Sequence, residues 1–203
     1  MAARAKFPGI LDVGTASREG YGQPVDELTA LLLAAGDGDS QAFGKFVAAT
    51  YSSIWRLCSY LVGAADADDA AQETFLAAWR SSSTFRGESS ARTWLFVIAR
   101  RCAERVASKQ QRCLGLPDEA TLRMASMGPE ATVVAGDLLA RLPPDRRTAL
   151  VLTQVFGLTY EEAAAVCACA VGTIRSRVAR ARKELLDQGA VTPRRRSGTQ
   201  SGT

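Results

Sequence analysis

The residues whose types and spacing could do chemistry are two runs of cations and one acidic helix face, and all three suit binding better than bond-making. Histidine is absent, which removes serine-histidine and cysteine-histidine catalysis and two-histidine metal sites. Neither a glycine-rich phosphate loop ending in lysine nor a glycine-flanked nucleophile serine occurs. Asp37-Gly38-Asp39 resembles the start of a calcium loop, but its twelfth position is Ala48, which cannot supply the bidentate carboxylate. Of five cysteines, Cys58, Cys102 and Cys113 are scattered, and Cys167 and Cys169 stand too close for the usual metal-ligand spacing. They read as reduced, partly buried thiols, with a redox switch as the alternative. No cofactor and no metal are expected.

The first basic run lies in Thr159 to Asp187, which reads as a short helix, a tight turn and a second helix. Thr159 stands three residues before Glu162, a capping box that starts the first helix at Tyr160. In the second, Val171, Ile174, Val178, Ala181 and Leu185 fall on one arc and must face a core. The opposite face carries Thr173, Ser176, Ala179, Arg180 and Lys183, with Arg175 and Arg182 along one margin and Arg177 along the other. Small side chains flanked by cations suit a helix in a DNA major groove, where the centre meets base edges and the rims meet phosphates. A solvated basic helix is the bland alternative, but capped helix, turn and basic helix together make a helix-turn-helix.

The second basic run is the helix predicted over 91–112. Its buried arc is Trp94, Leu95, Ile98, Cys102 and Val106, while Arg92, Arg100, Arg101, Arg105, Lys109 and Arg112 face Glu104 alone, a net of about +5. Phe85 and Trp94 could stack unpaired bases, although Trp94 sits mid-arc and reads as core. The acidic face belongs to 66–79, with Asp66 as its N-cap. There Ala71, Phe75 and Ala78 turn inward, whereas Asp69, Gln72, Glu73 and Leu76 share another face that fits a polar-rimmed protein contact or plain solvation.

These elements imply an all-α chain of two small helical domains joined by a flexible linker, the C-terminal one a helix-turn-helix. Residues 1–24 read as a disordered extension, 26–110 as the first domain, 111–136 as the linker, 137–187 as the second domain and 188–203 as a disordered basic tail. Helices are predicted over 26–35 and 40–62, broken at Gly36 to Asp39. Pro143-Pro144 stops a helix begun at Asp137, and Asp145 caps another running to Phe156, with Leu150, Val151, Val155 and Phe156 inward. Net charge is only +4 over 203 residues, so the argument rests on where cations cluster. No apolar run is long enough to span a membrane and no signal peptide is evident, so a cytoplasmic protein is expected.

DADDAAQETFLAAW at 66–79, TFRGESSARTWLFVIAR at 84–100 and LPPDRRTALVLTQVFGLTYEEAAAVCACAVGTIRSRVARARKEL at 142–185 together resemble the two halves of an extracytoplasmic-function sigma factor of bacterial RNA polymerase. The resemblance spans about 26–187. It implies that Asp69, Gln72, Glu73 and Leu76 dock on the clamp helices of the polymerase largest subunit. It implies that Phe85, Arg92, Arg100, Arg101 and Arg105 serve the minus-10 element, with the loop from Phe85 to Ser90 near an extruded base. It assigns the minus-35 element to Thr173, Arg175, Ser176, Arg177, Arg180, Arg182 and Lys183. Further implied partners are the polymerase flap, through the C-terminal domain, and an anti-sigma factor; nucleoid association within holoenzyme follows. About 17 base pairs between the elements is ~58 Å, which a linker of about 25 residues spans only if held extended. Arg105 and Ser108 replace an acid and an arginine frequent in the family, so a minus-10 sequence is not carried over, and Ala170 replaces a common proline before the turn's end.

The competing readings are a free-standing helix-turn-helix regulator, with residues 26–110 as a sensing or dimerising domain, and an enzyme with a DNA-binding appendage. The missing catalytic constellations disfavour the enzyme. Dependence on core polymerase separates the other two.

Overall fold

Short polar residues at chain reversals set where several of the helices start. In the computed structural model, which describes residues 26–114 and 138–189, Asp26 Oδ1 accepts from the Thr29 amide at 2.6 Å and opens α1, Glu27–Gly36. Gly36 and Gly38 make the reversal: a Cβ on Gly36 would stand 2.8 Å from the Ser82 carbonyl oxygen, and Gly38 has φ of +103°. Asp39 then caps α2, Ser40–Val62, accepting from the Gln41 and Ala42 amides. Asp39, in the stretch whose likeness to a calcium loop Ala48 rules out, is thus a helix cap.

α3, Ala64–Ser81, begins three residues earlier than an Asp66 cap implies. Its N-cap is Gly63, whose φ of 102° lets the chain turn directly out of α2, and Asp66 sits inside the first turn rather than capping it. The acid still faces the positive end of the helix dipole. Four fully buried alanines, Ala67, Ala70, Ala71 and Ala78, let α3 approach α2 closely, around a core containing Leu32, Phe46, Ile54, Leu57 and Leu95. After a 3-10 turn at Ser82–Thr84, α4 runs Ala91–Leu114. The buried Thr29 hydroxyl of α1 accepts the Ala91 amide at 3.0 Å, so α1 fixes where α4 starts. The helix continues four residues into the expected linker; 1–25, 115–137 and 190–203 lie outside the described residues, and the last helix takes in the first two residues of the expected tail.

A helical turn at 138–140 leads to Pro143 and Pro144. Pro143 is the N-cap of α5, Pro144–Leu150, and Asp145 lies within the first turn, a correction to its expected capping role. The helix widens into a π segment, Val151–Val155, where the Phe156 amide donates to the Val151 carbonyl at 3.1 Å. The wider turn shifts the helical phase. Leu152 and Thr153 therefore face inward, and Val155, expected in the core, is exposed.

α6, Tyr160–Cys167, opens on the predicted capping box, with the Thr159 hydroxyl accepting the Glu162 amide at 3.1 Å and the Glu162 carboxylate accepting the Thr159 amide at 2.8 Å. It closes at Ala168, whose left-handed φ of 50° brings the Cys169 amide onto the Ala164 carbonyl. α7, Val171–Gly189, follows with Ile174, Val178 and Ala181 buried as its phase requires. The described residues contain no strand. The two domains pack on each other and share one continuous apolar cluster.

Candidate nucleic-acid and polymerase interface

The outward face of α7 divides its cations into held and free. At one margin Arg177 donates from Nη2 to Asp145 Oδ2 of α5 at 2.5 Å, and its Nη1 lies 3.7 Å from Cys169 Sγ. At the other, Arg182 Nη2 donates to Gln154 Oε1 at 2.6 Å, while Gln154 Nε2 donates to Thr153 Oγ1. Glu184 is paired with Arg146. Arg175, Arg180 and Lys183 are exposed without such partners among the described residues. The half-buried Ser176 hydroxyl donates to the Thr173 carbonyl at 2.9 Å. Asp145, expected only as a helix cap, and Gln154, which the sequence did not single out, hold the marginal arginines.

On α3 the predicted polymerase-facing residues come together. Asp69, Gln72, Glu73 and Leu76 are all exposed and line one shallow groove with Val106 and Lys109 of α4. Leu76 is 49 % exposed, which leaves an apolar side chain in an acidic rim. Arg105 belongs here rather than with the other cations of α4: its Nη2 stands 3.7 Å from Glu73 Oε2 and 3.0 Å from Cys102 Sγ. Cys102 also raises the Arg105 pKa by accepting that bond.

The α4 residues expected at the minus-10 element are dispersed differently. Phe85 is buried, 5.4 Å from the Trp94 ring, and is not presented to a base. Arg92 donates from Nη2 to the Phe156 carbonyl at 2.7 Å, and Arg100 from Nε to the Val166 carbonyl at 3.0 Å, besides pairing with Glu104. Arg101 is half-buried. The buried arc also differs from expectation: Phe96, Ala99 and Ala103 are buried, whereas Trp94, Ile98 and Val106 are only partly so. The reason is the second domain, which covers the opposite side of α4.

That contact centres on Phe156. Its ring meets Phe96 edge-on at 5.2 Å and Tyr60 edge-on at 6.5 Å, with the Arg56 guanidinium 5.8 Å from its centroid. The buried Arg147 donates to the Tyr60 carbonyl at 3.4 Å, and burial lowers its pKa. Thr93 reaches Glu162 at 3.5 Å. Phe156 reads in the sequence only as an inward apolar residue, and Arg56, Tyr60 and Arg147 carried no signal there, because their partners lie across the domain contact. Burial also pushes the Cys58 thiol up to about 12 and the Cys167 thiol to about 11. No described helix is long and apolar enough to cross a membrane.

Comparison with known proteins matches residues 46–113 to Sigma-70 region 2 and residues 134–185 to Sigma-70, region 4. The probable RNA polymerase sigma-C factor of Mycobacterium bovis is 44% identical over 167 residues, covering 79% of this chain and 90% of that protein. The ECF RNA polymerase sigma-E factor of Escherichia coli K12 is 33% identical over 165 residues, covering 73% and 86%. Among solved structures, CnrH in complex with the cytosolic domain of CnrY superposes with a TM-score of 0.66 at 26% identity, covering 82% of this chain and 100% of that one. The sigma factor RpoE in complex with the anti-sigma factor NepR, from Bartonella quintana, gives 0.65 at 30% identity, covering 74% and 98%.

Proposed function

Because the chain belongs to the extracytoplasmic-function sigma factors of bacterial RNA polymerase, we propose a division of its promoter-directing work among three surfaces. It is an alternative sigma factor that directs core polymerase to promoters. In the proposed division the first domain, 26–110, docks on the polymerase clamp helices through Asp69, Gln72, Glu73 and Leu76 and meets the minus-10 element through Arg92, Arg100 and Arg101. The second domain, 137–187, reads the minus-35 element through α7 and touches the flap. Arg105, paired with Glu73, is reassigned to the docking groove. The protein acts in the cytoplasm without catalytic chemistry of its own, and an anti-sigma factor is a further proposed partner.

The observation that carries the reading is the α7 face: Arg175, Arg180 and Lys183 free at its exposed side, with Arg177 and Arg182 held at the margins by Asp145 and Gln154. Such an arrangement presents readers in the middle and fixed charges at the rails of a groove. Run-off transcription reconstituted with core enzyme tests it. Promoter-specific transcripts should require both proteins; tight operator binding by the chain alone, with no transcript, would support a free-standing regulator instead.

A further inference from the structure

The groove between α3 and α4 has walls of opposite charge. Asp66, Asp69 and Glu73 line the α3 side and Lys109 the α4 side, with Leu76 and Val106 as its apolar surface. Among the described residues Asp66 and Asp69 enter no ion pair, whereas Arg105 of α4 stands 3.7 Å from the Glu73 carboxylate. The same Nη2 donates to the buried Cys102 sulfur at 3.0 Å, one turn back along α4, which aims the charge at Glu73. Both partners remain open to solvent, at 65% and 49% exposed, so an incoming molecule reaches the pair without disturbing the core.

An acidic wall beside the exposed Leu76 complements a partner that carries cations next to an apolar side chain. A cation aimed at Asp69 meets a carboxylate with no internal partner. One aimed at Glu73 must displace the Arg105 guanidinium or crowd against a like charge, and either course subtracts from affinity. The pair is exposed and therefore weak, so it can be displaced. We propose that Arg105 is an internal competitor for the docking face: it stands on Glu73 where a cation of core polymerase would stand, and so sets how tightly this chain holds core enzyme. The inference rests on the docking role proposed for Asp69 and Glu73 and adds to it the residue that tempers it.

The labelled full-length chain is titrated with core polymerase and read by anisotropy. Arg105→Ala should bind about two- to fivefold more tightly, the worth of one exposed ion pair, and the gain should shrink as salt rises from about 0.1 M to about 0.5 M. Arg105→Gln, which keeps the apolar stem, should behave alike if the alanine variant fails to fold. Lys45→Ala, which removes an exposed cation from α2, should match the wild type; equal tightening there would make net charge the cause and overturn the proposal. Glu73→Gln should weaken binding more in the Arg105→Ala protein than beside Arg105. If Asp69→Asn weakens binding but Arg105→Ala does not tighten it, the competitor role is wrong and the docking face stands. If neither Asp69→Asn nor Glu73→Gln in the Arg105→Ala protein changes core affinity, both are wrong. Weaker holoenzyme binding to fork-junction DNA in Arg105→Ala, with unchanged affinity for core enzyme, would return Arg105 to the promoter and overturn the proposal.

Discussion

Arg100 Nε donates to the carbonyl oxygen of Val166 at 3.0 Å, joining α4 of one domain to α6 of the other across 66 positions of sequence. With Arg92 on the Phe156 carbonyl, it turns cations assigned to promoter DNA into fasteners of a closed chain. If these cations serve the promoter as proposed, closure and DNA binding compete for the same guanidinium groups.

The first prediction concerns that closure. Removing the Phe156 ring in Phe156→Ala should cost about 3 kcal/mol, the usual loss for a buried phenylalanine. The domains should then separate, raising the radius of gyration in small-angle scattering and splitting the thermal transition in two. Arg100→Ala should act in the same direction more weakly. If both variants keep the wild-type radius of gyration, the contact is not what holds the domains together.

The docking face makes an independent prediction. Asp69 and Glu73 lie one turn apart on the exposed side of α3, and Glu73 is 3.7 Å from Arg105. Reversing both charges should abolish co-purification with core enzyme while changing stability by less than about 1 kcal/mol, since the ion pair lost among the described residues is exposed. Wild-type affinity for core enzyme would remove this face from the docking role, and unfolding of the double variant would make it structural.

How far the sequence reaches is visible in the contrast between Thr159 and Phe156. The capping box at Thr159 and Glu162 and the buried arc of Ile174, Val178 and Ala181 are local, set by spacing within one helix, and both are found as read. Val155 was misplaced because one π turn rotates everything after it, which a fixed period cannot anticipate. Asp66 was misread as a cap because the positive φ of Gly63 starts α3 earlier. Phe96 and Phe156 were beyond reach for another reason: they meet across two domains, and periodicity reports that a side chain is apolar, not which partner covers it. For the same reason the Glu73 of α3 that stands 3.7 Å from Arg105 is invisible to spacing within α4.

Burial of thiols gives a pH dependence with a definite sign. The Cys58 pKa rises from 9.0 to about 12, chiefly through burial and secondarily through neighbouring Cys102. Below pH 9 the thiol is protonated in both states and stability is unaffected. Above it the unfolded chain releases a proton that the folded chain keeps, so stability should fall by about 1.4 kcal/mol per pH unit. Between pH 9.0 and 10.5 the wild type should therefore lose about 1.6 kcal/mol more than Cys58→Ala in urea unfolding. Equal losses in the two proteins would refute the raised pKa.

The recognition helix divides into readers and positioners, and its supports sharpen the test. Ser176 and Arg180 are one turn apart on the exposed face, so they should meet base edges; an arginine fork on guanine contributes ~1 to 3 kcal/mol of discrimination. Arg177 and Arg182 are held at opposite margins by Asp145 and Gln154, where a groove-bound helix passes the phosphates. Their loss should weaken all promoters alike and make the salt dependence shallower by about one unit each. Asp145→Asn frees Arg177 from a competing carboxylate and should tighten every minus-35 variant by ~0.5 to 1 kcal/mol without changing their order. The measurement is holoenzyme affinity for single-base minus-35 variants across a salt series. If Arg182→Ala relaxes discrimination at one base while Arg180→Ala lowers affinity uniformly, the helix sits in the groove rotated from this face and the assignment fails.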